Sequence, residues 1–362
     1  MMIVFYLPDL RGGGAERVML NILDLYAKRY PNETSLLLGK KQGELVSLIP
    51  QNVKVFELNQ TSALNSVLPF IKFCKEHQPD KVFSSLGASL AAALAKPFIS
   101  KKIEIINRLG NTIGAEKLLY KSAIKRNLYI QANKIIAKYS DKLIFQCHYM
   151  AEDFINETGV KPVSYEVIYN PVNTNKVDEL GLIHTSKEFD FVAVGRLSPQ
   201  KDYITLIKAL KILKDANEEV PVIKILGEGE QREMLEKEIH CGGLEKNIII
   251  TGFTSNPYTF MKKADAIIST SLFEGFSNVI VEGLCLGTPI IASDCPGANN
   301  EVIVENINGF LFKTNDAKNL AEIIKTKKNE IKNLNRDQIA LDAKSKYSLN
   351  LIFDKYLEYI NR

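Results

Sequence analysis

Cysteine is sparse and carries no pattern in this chain. Cys74, Cys147, Cys241, Cys285 and Cys295 form no C-x-x-C pair and no Cys/His spacing of a zinc site. Five is an odd number, and several of them sit inside apolar runs, which fits buried thiols in a reducing cytosol rather than a disulfide framework. Long apolar runs are also missing. The uncharged run Val82–Ala95 is too short and too rich in serine to span a bilayer. The start, Met1-Met2-Ile3-Val4-Phe5-Tyr6, has no basic n-region and no small-residue cleavage site, so no signal peptide is expected. There is no dense Lys/Arg tract with interleaved aromatics and no nucleic-acid motif, which argues against a nucleic-acid partner. Short internal repeats and low-complexity tracts are absent too.

What is present is an ordinary globular composition, 46% hydrophobic and 24% charged over 362 residues, a length that suggests two domains. The net charge of +4 is unevenly spread. Residues 1–165 hold 22 Lys/Arg against 14 Asp/Glu, and the remainder holds 24 against 28. An N-terminal half near +8 beside a C-terminal half near −4 suggests that the first half meets an anionic surface.

Apolar runs of strand length alternate with helical stretches from end to end. The first set is Met2–Leu7, Thr34–Leu38, Val53–Leu58, Lys81–Leu86, Glu104–Leu109, Lys142–Cys147 and Glu166–Tyr169. The second is Phe189–Gly195, Val222–Leu226, Ile248–Gly252, Ala266–Ser271 and Pro289–Ser293. Near-continuous apolar strands separated by helices indicate parallel sheets covered on both faces. The expected fold class is therefore α/β, with two doubly wound domains. Their expected ranges are 1–172 and 173–347, with the polar segment Asn173–Glu188 as linker and a last helix from Ser348.

The densest chemistry lies in Phe273-Glu274-Gly275-Phe276-Ser277-Asn278-Val279-Ile280-Val281-Glu282. A strand precedes it, and a helix from Asn278 to Leu286 is expected to follow. Ser277 suits the N-cap, where its hydroxyl can accept a first-turn amide proton. The amides of Asn278, Val279 and Ile280 then face outward and form an anion site at a strand end. Glu274 and Glu282 bracket that site, and carboxylates accept paired hydroxyls well. An anion site flanked by two diol-binding carboxylates suits a sugar nucleotide.

This stretch resembles the E-x7-E signature of retaining glycosyltransferases of family 4, which have the GT-B fold of two Rossmann-like domains facing across a cleft. Further motifs recur in the order of that family. Arg11-Gly12-Gly13-Gly14-Ala15-Glu16-Arg17 follows the first strand, and its glycines allow close backbone approach to a ligand. It is not a G-x-G-x-x-G, so a nicotinamide cofactor is not indicated. It is similar to the family's GGAER loop, which implies donor contacts from Gly13 and Gly14 and acceptor contacts from Glu16 and Arg17. Asn170-Pro171-Val172-Asn173 is similar to the element at which the family's chain leaves the first domain. Gly195-Arg196-Leu197-Ser198-Pro199-Gln200-Lys201 matches a GR…K pattern, which implies Arg196 and Lys201 on the donor diphosphate. Gly227 and Phe253 close two further strands where the resemblance implies a nucleoside pocket. The segment from Gly287 to Ala298 is also similar.

The resemblance implies that residues 1–172 bind acceptor, joined by a helix at 348–362 that packs back on them, and that residues 173–347 bind donor. Glu274, Arg196 and Lys201 become the expected catalytic set. Gly275, Phe276, Ser277, Asn278, Val279 and Glu282 complete the donor site. No D-x-D occurs, and cations already face the diphosphate, so no metal and no other cofactor is expected. One departure concerns histidine. Many relatives carry one after the fifth strand, where this chain reads Asn107-Arg108-Leu109-Gly110-Asn111. Arg108 and Asn111 are taken instead as acceptor contacts. The four histidines are His77, His148, His184 and His240, and His148 is read as a bystander near the crevice.

The function so implied is retaining transfer of an N-acetylhexosamine or hexose from a UDP-sugar to a lipid-linked (undecaprenyl-diphosphate) or polysaccharide acceptor in bacterial surface glycan synthesis. A non-catalytic sugar-nucleotide binder and a GT-B 2-epimerase are the alternatives. The implied location is the cytoplasmic face of the inner membrane. Residues 116–138 read as one long helix with Lys117, Lys121 and Lys125 in a stripe, interleaved with Leu118, Leu119, Tyr120, Ile124, Leu128 and Tyr129. That helix is the expected contact to an anionic membrane surface.

Overall fold

A computed structural model describes residues 2–11, 13–182 and 188–362. The chain divides into two compact units, Met1–Asn170 with Ile352–Arg362, and Pro171–Leu351. Each is a parallel sheet wrapped by helices.

The first unit holds β1 (Ile3–Leu7), β2 (Thr34–Leu38), β3 (Lys54–Glu57), β4 (Lys81–Ser85), β5 (Glu104–Arg108), β6 (Lys142–Phe145) and β7 (Tyr165–Val167), in the order β3-β2-β1-β4-β5-β6-β7. Its inner strands are buried on both faces, the edge strands β3 and β7 are partly exposed, and alternate side chains go to opposite sides. From β1, Ile3, Phe5 and Leu7 pack with the helix Gly14–Arg29 and with Ile352, Phe353 and Tyr356 of the last helix, Leu349–Asn361. Val4 and Tyr6 point the other way, toward the helices Ala63–His77 and Gly87–Ala95.

The second unit holds β8 (Phe191–Val194), β9 (Ile223–Leu226), β10 (Ile248–Gly252), β11 (Ala266–Ser269), β12 (Ile290–Ser293) and β13 (Gly309–Phe312), in the order β10-β9-β8-β11-β12-β13. In both sheets the order reverses beside the first strand, between β1 and β4 and between β8 and β11. Loops at the carboxyl ends of such strand pairs diverge and leave a crevice.

All twelve strands read from the sequence are present, with ends within two residues of those expected. β13 was not anticipated. Two other expectations are corrected. The segment 173–188 is not a plain linker. Asn173 accepts the Lys176 amide at 3.1 Å and caps a helix, Thr174–Gly181, that buries Val177 in the second unit. The expected helix over 116–138 is broken. A short helix Ile113–Glu116 and a turn at Lys117–Leu119 lead to Tyr120–Ser122, and a new helix runs Ala123–Tyr139. Tyr120 and Ser122 are extended, and Arg126 Nε donates to the Tyr120 carbonyl at 2.8 Å, which holds the break.

Candidate active site

In the second unit the loops after β8, β11 and β12 are stitched together. Leu272 N donates to the Gln200 carbonyl (2.8 Å), Gln200 Nε2 to the Phe273 carbonyl (2.9 Å), and Thr270 Oγ1 to the Lys201 carbonyl (2.7 Å). On the other side Ser293 Oγ donates to the Ser271 carbonyl (2.5 Å) and Glu274 N to the Pro296 carbonyl (2.9 Å). Gly297 makes that approach possible. Its φ is +138°, and a Cβ there would sit 2.1 Å from the Glu274 carbonyl oxygen.

This stitching brings Lys201 to Glu274, though 73 residues separate them in sequence. Lys201 Nζ is paired with Glu274 Oε1, which also accepts from Ser271 Oγ at 2.7 Å. The Glu274 side chain is only 9% exposed and that of Lys201 20%. A carboxylate so buried needs these partners, because desolvation penalises its charge. Burial drives up the Tyr203 hydroxyl, and the Glu274 charge adds to the effect. Burial likewise lifts the Cys295 thiol to about 12, with Glu274 again contributing, so that thiol stays protonated and unreactive.

Around this pair lie the other donor-site candidates. Arg196 is exposed and, among the described residues, makes no side-chain bond. Gly227 lies against the Gly195 carbonyl, with no room for a Cβ, which would stand 1.9 Å away. Phe253 is 72% exposed just beyond β10. The helix after β11 runs Asn278–Cys285. Ser277 occupies its N-cap in an extended conformation, but its hydroxyl makes no capping bond, contrary to the expectation. The first intrahelical amide bond is Val281 N to Ser277 O at 3.3 Å, so the amides of Asn278, Val279 and Ile280 precede it and point out of the helix start. Gly275 and Phe276 are buried beneath that start. Glu282, one turn on, is half-buried and accepts from Tyr258 Oη at 3.5 Å. The site therefore offers a cation, a backbone anion cradle and two carboxylates at the switch point of one sheet.

The sequence profile of the family described as Glycosyl transferases group 1 matches residues 181–340, which contain this whole arrangement. That part of the second unit is similar to the glycosyl transferases group 1 family. The chain is 25% identical over 333 residues to the N-acetylgalactosamine-N,N'-diacetylbacillosaminyl-diphospho-undecaprenol 4-alpha-N-acetylgalactosaminyltransferase of Campylobacter jejuni, covering 89% of this chain and 88% of that one. It is 27% identical over 332 residues to the UDP-Gal:alpha-D-GlcNAc-diphosphoundecaprenol alpha-1,3-galactosyltransferase of Escherichia coli, covering 84% and 81%. Among solved structures, Anabaena Alr3699/HepE in complex with UDP superposes with a TM-score of 0.78 at 22% identity over the full length of both chains. The fold is GT-B.

In the first unit the candidates are less concentrated. Gly13 stands at the N-cap of Gly14–Arg29, with the Glu16 carboxylate folded against it and Arg17 exposed. Gly12 and His184 lie outside the described residues. Arg108 is not an accessible acceptor contact. Its side chain is fully buried, with Nε on Tyr356 Oη at 3.0 Å and Nη2 on Asn170 Oδ1. It ties β5 to the chain's last helix. Asn111 is half-exposed and lines a cavity of about 400 Å³ beyond β4 and β5. Of the histidines, His77 packs with Phe56 and Phe73, His240 bonds Glu245, and His148 is exposed at a helix start after β6. The residues that sequence reasoning missed are Gln200, Ser271 and Tyr258. Polar residues beside strand ends were the available signal.

The broken helix rearranges the basic stripe. Lys117 is paired with Glu157, whereas Lys121 and Lys125 are exposed. Leu118, Leu119, Ile124 and Leu128 are 55–74% exposed beside them. Tyr129 turns inward. Among the described residues no helix is long and apolar enough to cross a membrane.

Proposed function

We propose that the chain is a retaining, metal-independent glycosyltransferase that moves a hexose or N-acetylhexosamine from a UDP-sugar to a lipid-linked glycan in bacterial surface polysaccharide synthesis. The observation that carries this reading is the Lys201–Glu274 pair at the switch point, beside the amides of 278–280. The diphosphate lies on Arg196, Lys201 and the helix start. There positive groups stabilise the charge that develops as the sugar–oxygen bond breaks. Glu274 holds hydroxyls of the transferred sugar, and Glu282 holds the ribose diol, with Phe253 beside the base. Burial and the Glu274 charge push the Cys295 thiol up, which argues against that thiol as a nucleophile beside the pair. Front-face attack fits: the acceptor hydroxyl bonds the anomeric carbon as the diphosphate leaves and takes the acceptor proton. The undecaprenyl-diphosphate acceptors named for the Campylobacter and Escherichia relatives support the acceptor class.

Such an acceptor resides at a membrane. The exposed Leu118, Leu119, Ile124 and Leu128 with Lys121 and Lys125 form the docking patch on an anionic cytoplasmic leaflet. The test is label transfer. Purified protein is incubated with a panel of radiolabelled UDP-sugars and extracted polyprenyl-diphosphate-linked glycans. Label moving from one UDP-sugar into the lipid fraction supports the reading. Tight UDP binding without transfer to any extract would instead mark a non-catalytic binder.

A further inference from the structure

The cavity in the first unit has a chemistry that the donor site leaves unused. It opens at the carboxyl ends of β4 and β5, and its size, about 400 Å³, lies within the range of small-ligand pockets, about 300–1,000 Å³. Leu86, Leu90 and Ile136 supply apolar wall, and Asn111 borders them. Among these stands one carboxylate, Glu116. Tyr129 Oη donates to its Oε2 at 2.9 Å, and among the described residues Oε1 accepts nothing. Among the described residues no cation pairs with Glu116, and the neighbouring Lys117 is committed to Glu157. Burial raises the Glu116 carboxyl, a trend that the Tyr129 bond opposes.

These facts narrow the occupant. A phosphate or carboxylate would be repelled by Glu116. A hydrocarbon chain would strip water from the carboxylate and give nothing in return. A metal ion would find no group of acidic, thiol or imidazole ligands among the described residues and would leave the apolar wall unused. What remains is a neutral group with a C–H face for the leucines and a hydrogen-bond donor for Oε1. A pyranose ring has both.

The geometry points to this cavity as a sugar subsite for the acceptor, with Glu116 Oε1 accepting from a hydroxyl or acetamido N–H and thereby selecting which hexose or hexosamine is extended. The inference rests on the transferase reading above. Glu116 is a specificity residue held in place by Tyr129.

Saturation-transfer NMR on the full chain, with UDP present, tests it with methyl glycosides of glucose, galactose, N-acetylglucosamine and N-acetylgalactosamine as probes. At least one glycoside is expected to saturate. Ala132→Leu, which fills the cavity, should abolish the signal, and Leu90→Phe serves the same purpose if the first variant misfolds. Glu116→Gln should weaken binding about fivefold or more and change the order of preference among the four sugars. UDP affinity should stay unchanged in all variants. If no glycoside saturates, or if filling the cavity leaves the signal intact, the subsite is refuted while UDP binding still stands. Loss of UDP binding in the unaltered protein would count against the donor-site reading instead.

Discussion

Replacing Lys201 with methionine keeps most of the side-chain stem and removes the ammonium that faces Glu274. Among the described residues the buried carboxylate then retains only Ser271 Oγ as a partner. Breaking a fully buried pair from one side costs about 3–5 kcal/mol. Lys201 keeps a fifth of its side-chain surface in water, so about 2–3 kcal/mol is expected for the second unit. Glu274→Gln in the same background removes the stranded charge and should recover about 1–2 kcal/mol, a coupling that a double-mutant cycle reads from chemical denaturation. Function is affected separately. Loss of one charge-assisted bond to the diphosphate, about 1.5–3 kcal/mol, should raise the UDP Kd roughly ten- to hundredfold by calorimetry. Additive stability changes together with an unaltered UDP affinity would refute both the pairing and the phosphate role.

Three other outcomes are expected. Arg196→Ala should weaken UDP binding by about tenfold or more with little change in stability, since the side chain is exposed and unbonded among the described residues; equal affinity by calorimetry would remove it from the diphosphate site. Transfer should survive EDTA, because Arg196, Lys201 and the helix start supply the positive groups; abolition by chelation with rescue by Mn²⁺ would overturn that. The protein should float with anionic liposomes at low salt and be released at high salt, each nearby Lys contributing about 1 kcal/mol. Lys121→Glu with Lys125→Glu should abolish flotation and spare UDP binding, and flotation equal to the parent would exclude this patch.

Much of the architecture was legible because parallel strands buried on both faces are written as uninterrupted apolar runs, as in Ile3–Leu7 and Ala266–Ser269. β13 escaped because Gly309-Phe310-Leu311-Phe312 is short and follows Asn306 and Asn308, which read as turn. The break at 120–122 was marked only by Ser122, a possible N-cap in a run otherwise compatible with helix. Arg108 was misread for a physical reason. A cation at a strand end suggests a ligand, and only the fold brings Tyr356, 248 residues away, to take its Nε. The glutamates of 274–282 were visible as a spaced pair. The Ser271 bond to Glu274 spans only three residues, but the bonds from Gln200 and the 293–297 loop that fix this segment cross between strands and leave no local pattern.

The two glutamates offer the most direct test, because the account gives them different tasks. UDP affinity and transfer rate are measured separately for Glu274→Gln and Glu282→Gln. Glu282→Gln should raise the UDP Kd about tenfold, through a weakened ribose contact. Glu274→Gln should leave the UDP Kd within about threefold and lower the transfer rate about a hundredfold or more, because its contacts form with the reacting sugar. Glu274→Gln that transfers at the parent's rate, or two variants altered in affinity alone, would contradict the assignment of this site.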